Sequence, residues 1–201
     1  APSPTGLLHL GHAYSALLAH DMALAHDGTL ILRIEDTDTA RCRPAYDAAI
    51  YEDLSWLGID WETPVWRQSE RLRAYQQALD RLIAGGLCYP CGCSRRDIRA
   101  ALAAPQETAA QDRANTAPYP GTCRHRPMSD RGAHDAIRLN MAKALEFVGD
   151  TSALVFSESG PVRPGEHHLG AQDMLEQTGD IILARRDIGA TAYHLSVVVD
   201  D

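Results

Sequence analysis

The chain has 201 residues, 45% of them hydrophobic and 23% charged, enough apolar material for one core and an inserted subdomain. Its formal net charge of −8 excludes a generally basic nucleic-acid coat, so any RNA contact must be local. No apolar run approaches the roughly 18 residues a membrane span needs and no signal-peptide pattern is visible; five cysteines, with Cys91 and Cys93 too close for an easy mutual disulfide, suit a reduced, cytoplasmic setting with metal ligation.

The opening stretch, Ala1-Pro2-Ser3-Pro4-Thr5-Gly6-Leu7-Leu8-His9-Leu10-Gly11-His12, has prolines that fix φ at alternate positions and glycines that let backbone approach a ligand. It predicts a rigid loop followed by a helix starting near Gly11, and a helix N-terminus flanked by two imidazoles suits a phosphate. From Ala13 to His26 the apolar residues Ala13, Leu17, Leu18 and Leu24 recur at roughly helical spacing, and Asp27-Gly28 ends the helix. The continuous run Thr29 to Ile34 then reads as a strand buried on both faces of a parallel sheet.

Asp47 to Leu57 predicts a helix with Ile50, Leu54 and Leu57 inward, stopped by Gly58 and followed by a short extended piece, Ile59 to Trp61. A clearer helix runs from Glu70 to Ala84 through Leu72, Tyr75, Leu79 and Leu82, with Gly85-Gly86 as its break. From Leu87 to about Arg131 cysteines, prolines and an Ala/Gln-rich segment (Ala100 to Ala117) replace this patterning, with little sign of a sheet. Between residues 91 and 126 six arginines (Arg95, Arg96, Arg99, Arg113, Arg124, Arg126) outnumber three acids (Asp97, Glu107, Asp112), a bias that fits a solvated face or a local RNA contact. Arg138 to Phe156 and Asp180 to Leu183 return to α/β patterning, Ser157 to His168 reads as a surface loop, and Tyr193 to Asp201 reads as a strand entering an acidic turn.

Loop, helix and strand in this order describe half of a nucleotide-binding α/β fold, whose ligands collect at the carboxyl ends of the strands. Residues 1–86 are accordingly read as the first half of that domain, 87–180 as an insertion with a metal-binding region at about 88–126, and 181–201 as the start of the second half. Glu35, Asp36 and Asp38 fall at a strand end, where at least one acid should face a positive group such as an amino group; Asp36 and Asp38 suit helix caps for the following segment. The metal candidates are Cys88, Cys91, Cys93, Tyr119, Cys123 and His125, because thiolates bind zinc tetrahedrally and a short insertion has too little core to order itself. Ligand chemistry alone favours Cys88 or His125 in the fourth position, since a phenol must first lose a proton with a pKa of about 10. Cys42, between Arg41 and Arg43, has no visible partner.

His9-Leu10-Gly11-His12 resembles the HIGH motif of class I aminoacyl-tRNA synthetases, and the preceding Ala1 to Gly6 with Arg33-Ile34-Glu35-Asp36-Thr37-Asp38 narrows this to the glutamate-specific branch. Cys91-x-Cys93 with Tyr119-x-x-x-Cys123 resembles the pattern of the glutamyl-queuosine tRNA(Asp) synthetases, in which the tyrosine is the fourth zinc ligand; full-length glutamyl-tRNA synthetases with this insertion use Cys-x-His, which Cys123-Arg124-His125 also satisfies. The resemblance extends through Ala184-Arg185-Arg186-Asp187 to Asp201. It implies a Rossmann-like α/β class I catalytic domain with a zinc-binding insertion, which converts L-glutamate to glutamyl-adenylate with ATP and magnesium and passes the glutamate to the queuosine base of tRNA(Asp).

The site residues follow from the same resemblance. Pro2, His9, Gly11 and His12 would bind ATP, with His9 and His12 catalytic, and Ala1, Pro2, Ser3, Glu35 and Tyr193 would bind glutamate. Cys91, Cys93, Tyr119 and Cys123 would hold one structural zinc. Two specificity arginines and a KMSKS-like loop are expected outside the chain given, and a cytoplasmic monomer is expected. Two other readings are the catalytic part of a glutamyl-tRNA synthetase charging the tRNA 3′ end, and a synthetase-like binding module without catalysis.

Overall fold

The structure, a computed structural model, describes residues 1–103, 117–186 and 191–201. Glu107, Asp112 and Arg113, most of the Ala/Gln-rich segment, and Asp187 lie outside the described residues. The chain divides into two compact units, Ala1–Gln76 and Gln77–Asp201.

In the first unit, α1 (Leu10–Ala25) leads to β1 (Ile31–Ile34), α2 (Pro44–Trp56) and β2 (Glu62–Arg67), with a short 3-10 turn at Gln68–Glu70. Pro44 at the first position starts α2, where its missing N–H is no loss, and Gly58 at φ 73° follows its end. Asp27, at φ 52°, reverses the chain after α1, with the Gly28 N–H on the Ala23 carbonyl at 2.8 Å. β1 and β2 pair in parallel, matching Ile31 with Glu62 and Ile34 with Arg67, and the register shifts between. Pro64, which has no N–H to give, lies in the shifted stretch, and Glu62-Thr63-Pro64 reads poorly as a strand for that reason. Leu32, Ile34, Ile50, Leu54 and Ile59 form the core, with Leu8, Ala16, Leu17 and Val65 packed on it.

Two expectations are corrected here. β1 is buried on one face only: Leu32 and Ile34 are inside and Ile31 is exposed. α1 has no fully buried residue, and Leu18 and Leu24 are exposed, so Ala16 and Leu17 make its contact with the core.

α3 (Leu72–Ala84) carries the chain into the second unit, where β3 (Cys88–Cys91), α4 (Arg95–Ala103), β4 (Ala136–Leu139), α5 (Met141–Val148), β5 (Val155–Glu158), β6 (Gly165–His168), α6 (Ala171–Asp173), β7 (Ile182–Ala184) and α7 (Tyr193–Asp200) follow. β3, β4 and β7 form an antiparallel sheet in that order, so the stretch from Leu87 does contain sheet, contrary to expectation. Alternation gives this sheet two different faces. Cys88, Ile137, Leu183 and Ala184 join Ala78, Leu79 and Leu195 in one core, while Tyr89 and Cys91 pack with Tyr119, Cys93, Cys123 and Ile98 in another. Ser157 to His168, read as a loop, forms most of the exposed β5–β6 hairpin.

The largest correction is at Tyr193 to Asp201, which is helix, not strand. Three consecutive valines favour a strand locally, but the core accepts Leu195 and Val199, four residues apart, and leaves Val198 76% exposed. A helix satisfies that spacing and a strand does not.

Candidate active site and metal centre

In the first unit the opening loop is tied down by its own carbonyls. The Glu35 N–H donates to the Pro2 carbonyl at 2.9 Å and the Arg43 N–H to that of Pro4 at 3.0 Å, which fastens the Pro2-Ser3-Pro4 segment to the end of β1 and the start of α2. Ala1 and Ser3 are exposed, and Pro4 is buried.

The loop ends in a reciprocal cap on α1. His9 Nδ1 accepts from the Gly11 N–H and His12 Nδ1 accepts from the His9 N–H, both at 3.1 Å, with the ring centroids 3.8 Å apart. An imidazole that accepts through Nδ1 is neutral and carries its proton on Nε2. Both exposed histidines therefore offer an Nε2–H donor beside a helix N-terminus, an arrangement suited to phosphate oxygens. Burial and the neighbouring His9 lower the His12 pKa, which favours that neutral form. Gly11 leaves room for the cap: a Cβ there would stand 3.1 Å from His9 Cε1 and 3.2 Å from His9 Nδ1, close enough that the ring would have to shift.

Each acid after β1 has an arginine. Arg33 Nη2 stands 3.3 Å from Glu35, Arg67 Nη1 is 3.2 Å from Asp36, and Arg41 Nε is 2.7 Å from Asp38. Protein cations thus supply the positive charge that the strand-end acids call for, and a ligand amino group is not needed to account for them. Asp36 is a cap, but for a distant segment: it accepts from the Ser69 N–H and Oγ, both at 2.8 Å, over the 3-10 turn. Tyr193 opens α7 in the second unit and is exposed.

The second unit brings the cysteine candidates together. Cys91, Cys93 and Cys123 place their sulfurs within 4.8 Å of one another, the only such metal-binding group among the described residues. Cys93 and Cys123 Sγ are 3.5 Å apart, and the Tyr119 hydroxyl lies 3.5 Å from Cys91 Sγ and 3.4 Å from Cys93 Sγ. A tetrahedral zinc with bonds of about 2.3 Å to sulfur and about 2.0 Å to oxygen separates oxygen from sulfur by about 3.5 Å, so these donors fit the ion. Gly121, at φ 81°, turns the chain between Tyr119 and Cys123, and the Cys123 N–H donates to the Tyr119 oxygen at 2.9 Å. Burial raises the Cys123 thiol, but hydrogen bonds from Tyr119, Cys93 and the Gly92 backbone outweigh it and bring the pKa down to about 7. Burial pushes Cys93 up to about 11 and raises Tyr119 as well.

The other fourth-ligand candidates lie elsewhere. Cys88 is on the opposite face of β3, in the aliphatic core, where burial pushes its thiol up to about 11. His125 is exposed and outside the cluster.

The sequence reading missed the shell around the cluster. Asp180, wholly buried, accepts from Tyr89 Oη at 2.5 Å, Arg124 Nε at 2.7 Å and the Met141 N–H at 2.9 Å. Arg186 donates to the Gly92 carbonyl at 2.8 Å, and Arg126 pairs with Asp135 at 2.8 Å. Apart from Arg126 and Asp135, nine residues apart, these partners are tens of residues apart in the chain, so no local pattern could have joined them. The one available signal was the alternation of Tyr89 and Cys91 on a single strand face.

Comparison with known proteins decides the family. The description "tRNA synthetases class I (E and Q), catalytic domain" matches residues 1–201. The chain belongs to this class I synthetase family. Over its whole length it is 50% identical to the glutamyl-Q tRNA(Asp) synthetase of Rhodobacter capsulatus, of which it spans 70%, and 37% identical to the glutamate–tRNA ligase of Hydrogenobaculum sp., of which it spans 40%. The solved structure of glutamate-tRNA synthetase from Elizabethkingia anophelis matches all of the chain and 41% of its own, with TM-score 0.68 and 25% identity. The fold is the α/β catalytic domain of class I synthetases, and the chain stands with the glutamyl-Q tRNA(Asp) synthetases, ATP-dependent ligases of this family. No helix among the described residues is long and apolar enough to cross a membrane.

Proposed function

We propose that the protein containing this chain activates L-glutamate with ATP and transfers it to the queuosine base of tRNA(Asp). The observation that carries this reading is the reciprocal cap of His9 and His12, which leaves two Nε2–H donors at a helix N-terminus. A glutamate α-carboxylate oxygen attacks the α-phosphorus of magnesium-bound ATP, a new P–O bond forms, and the bond to the bridging oxygen breaks as pyrophosphate leaves. His9 and His12 donate to phosphoryl oxygens where charge builds up, and Pro2 and Gly11 let the nucleotide approach the backbone. Ala1, Pro2, Ser3 and Glu35 hold glutamate, while Tyr193 is assigned to its side chain by family resemblance alone. Cys91, Cys93, Tyr119 and Cys123 hold a zinc ion whose role is structural, because four protein ligands leave no open position.

The Tyr119 hydroxyl beside the sulfurs, with His125 outside, supports the queuosine branch over charging of the tRNA 3′ end. The test uses the full-length protein, purified cytoplasmic tRNA partners and labelled glutamate. Glutamate-dependent ATP–pyrophosphate exchange without tRNA, followed by transfer to queuosine-containing tRNA(Asp) but not to tRNA(Glu), is expected. Transfer to the 3′ end of tRNA(Glu) would replace this reading with the glutamyl-tRNA synthetase one, and no exchange at all would leave a binding module.

A further inference from the structure

We infer that Arg138 is a positioning residue for the metal centre: its guanidinium, stacked on the ring of Tyr119, fixes the phenol as fourth ligand. The inference deepens the zinc reading above and rests on it. Arg138 is paired with Tyr89 across the β3–β4 ladder, on the face of the sheet that carries Cys91. Its Cζ lies 3.9 Å from the centroid of the Tyr119 ring.

Arg138 is buried, and a buried cation needs a partner. Among the described residues it has no carboxylate partner: the Asp180 carboxylate is taken by Tyr89, Arg124 and the Met141 N–H. Arg138 reaches only the Asp180 main-chain carbonyl, at 2.7 Å through Nη1, and its Nε has no hydrogen-bond partner. What remains for its charge is the face of Tyr119. A phenol ring gains negative charge when its oxygen binds a metal, so a planar cation on that face is best compensated when Tyr119 is a ligand. The carbonyl bond fixes the guanidinium, the guanidinium against the ring face opposes a swing of the side chain, and the Cys123 N–H holds the oxygen. A swing of the ring about the Tyr119 Cα–Cβ bond would carry the oxygen away from Cys91 and Cys93.

The nearby arginines are engaged differently. Arg124 is paired with Asp180, Arg126 with Asp135, and Arg186 with the Gly92 carbonyl. Among the described residues Arg138 alone stacks on a candidate ligand.

The test loads the full-length protein with Co(II) in place of zinc and records its visible ligand-field spectrum and its rate of loss to a chelator. Arg138→Gln should still bind one equivalent through the sulfurs, but with a spectrum shifted to that of Tyr119→Phe and metal loss at least tenfold faster. Arg138→Lys keeps a charge without the planar stack and should show the same shift; it carries the test if the glutamine variant fails to fold by circular dichroism. Leu79→Ala, a truncation in the other core of the unit, controls for general destabilisation and should keep the wild-type spectrum. Spectra and loss rates unchanged in the Arg138 variants, or a matching shift in Leu79→Ala, would overturn the inference. A wild-type protein that binds no cobalt overturns the metal reading and the inference with it.

Discussion

Replacing Gly11 by alanine separates what the histidine cap does for the fold from what it does for chemistry. The added Cβ would stand 3.1 Å from His9 Cε1 and 3.2 Å from His9 Nδ1, so the ring must move by a few tenths of an ångström. That lengthens the 3.1 Å bond from the Gly11 N–H and weakens a cap worth about 1 kcal/mol. Alanine in the first turn returns about 1 kcal/mol of helix propensity over glycine, so net stability should change by less than about 1 kcal/mol. Catalysis has no such offset. His9 Nε2 moves with the ring, and loss of one well-placed donor to developing charge costs about 2.7 to 4 kcal/mol, so a partial displacement should slow the reaction roughly 10- to 100-fold. Glutamate-dependent ATP–pyrophosphate exchange gives the rate and urea unfolding gives the stability. Exchange at the wild-type rate, or a loss accounted for by the unfolded fraction, would refute the reasoning.

His12→Ala removes the second donor along with the acceptor for the His9 N–H; exchange should fall by about 2 to 4 kcal/mol of transition-state stabilisation while urea unfolding shifts by about 1 kcal/mol. Removing zinc from the purified protein with a chelator should lower the melting temperature and make Cys91, Cys93 and Cys123 reactive to a thiol reagent, and adding zinc back should reverse both. Cys123→Ser should reproduce the metal-free state, and equal thiol reactivity before and after chelation would count against a bound ion. The Arg126 guanidinium, helped by the Gly132 N–H, holds the Asp135 carboxyl below the usual carboxylate range. A depressed folded pKa contributes stability that is present above the unfolded value of about 4 and is lost as pH falls through the folded one. Asp135→Asn should flatten the acid limb of the stability profile below about pH 4, and an unchanged limb would show that the pair contributes nothing.

Local chemistry was enough for much of the first unit. Pro2 and Pro4 fix φ and Gly6 and Gly11 permit close backbone approach wherever they occur, so the loop and the start of α1 were legible from neighbouring residues, as were the turn at Asp27-Gly28 and the inward positions Ile50 and Leu54. Cys91-x-Cys93 and Cys123 likewise announced a group able to hold a metal, because thiolates carry that ligand chemistry, whereas Tyr119 was named by family resemblance and not by its own chemistry. Tertiary structure decided what depends on distant partners. Val197-Val198-Val199 became helix because the core takes Leu195 and Val199, and Glu62 to Arg67 became strand because β1 offers it a parallel ladder. Tertiary packing set Tyr119 beside the sulfurs and Cys88 on the opposite face of β3, and the arginines facing Glu35, Asp36 and Asp38 were named by geometry. Arg138 beneath the Tyr119 ring shows the limit most plainly: the two residues are nearly twenty apart in sequence, and only the β3–β4 register and the Gly121 turn bring a cation onto that ring.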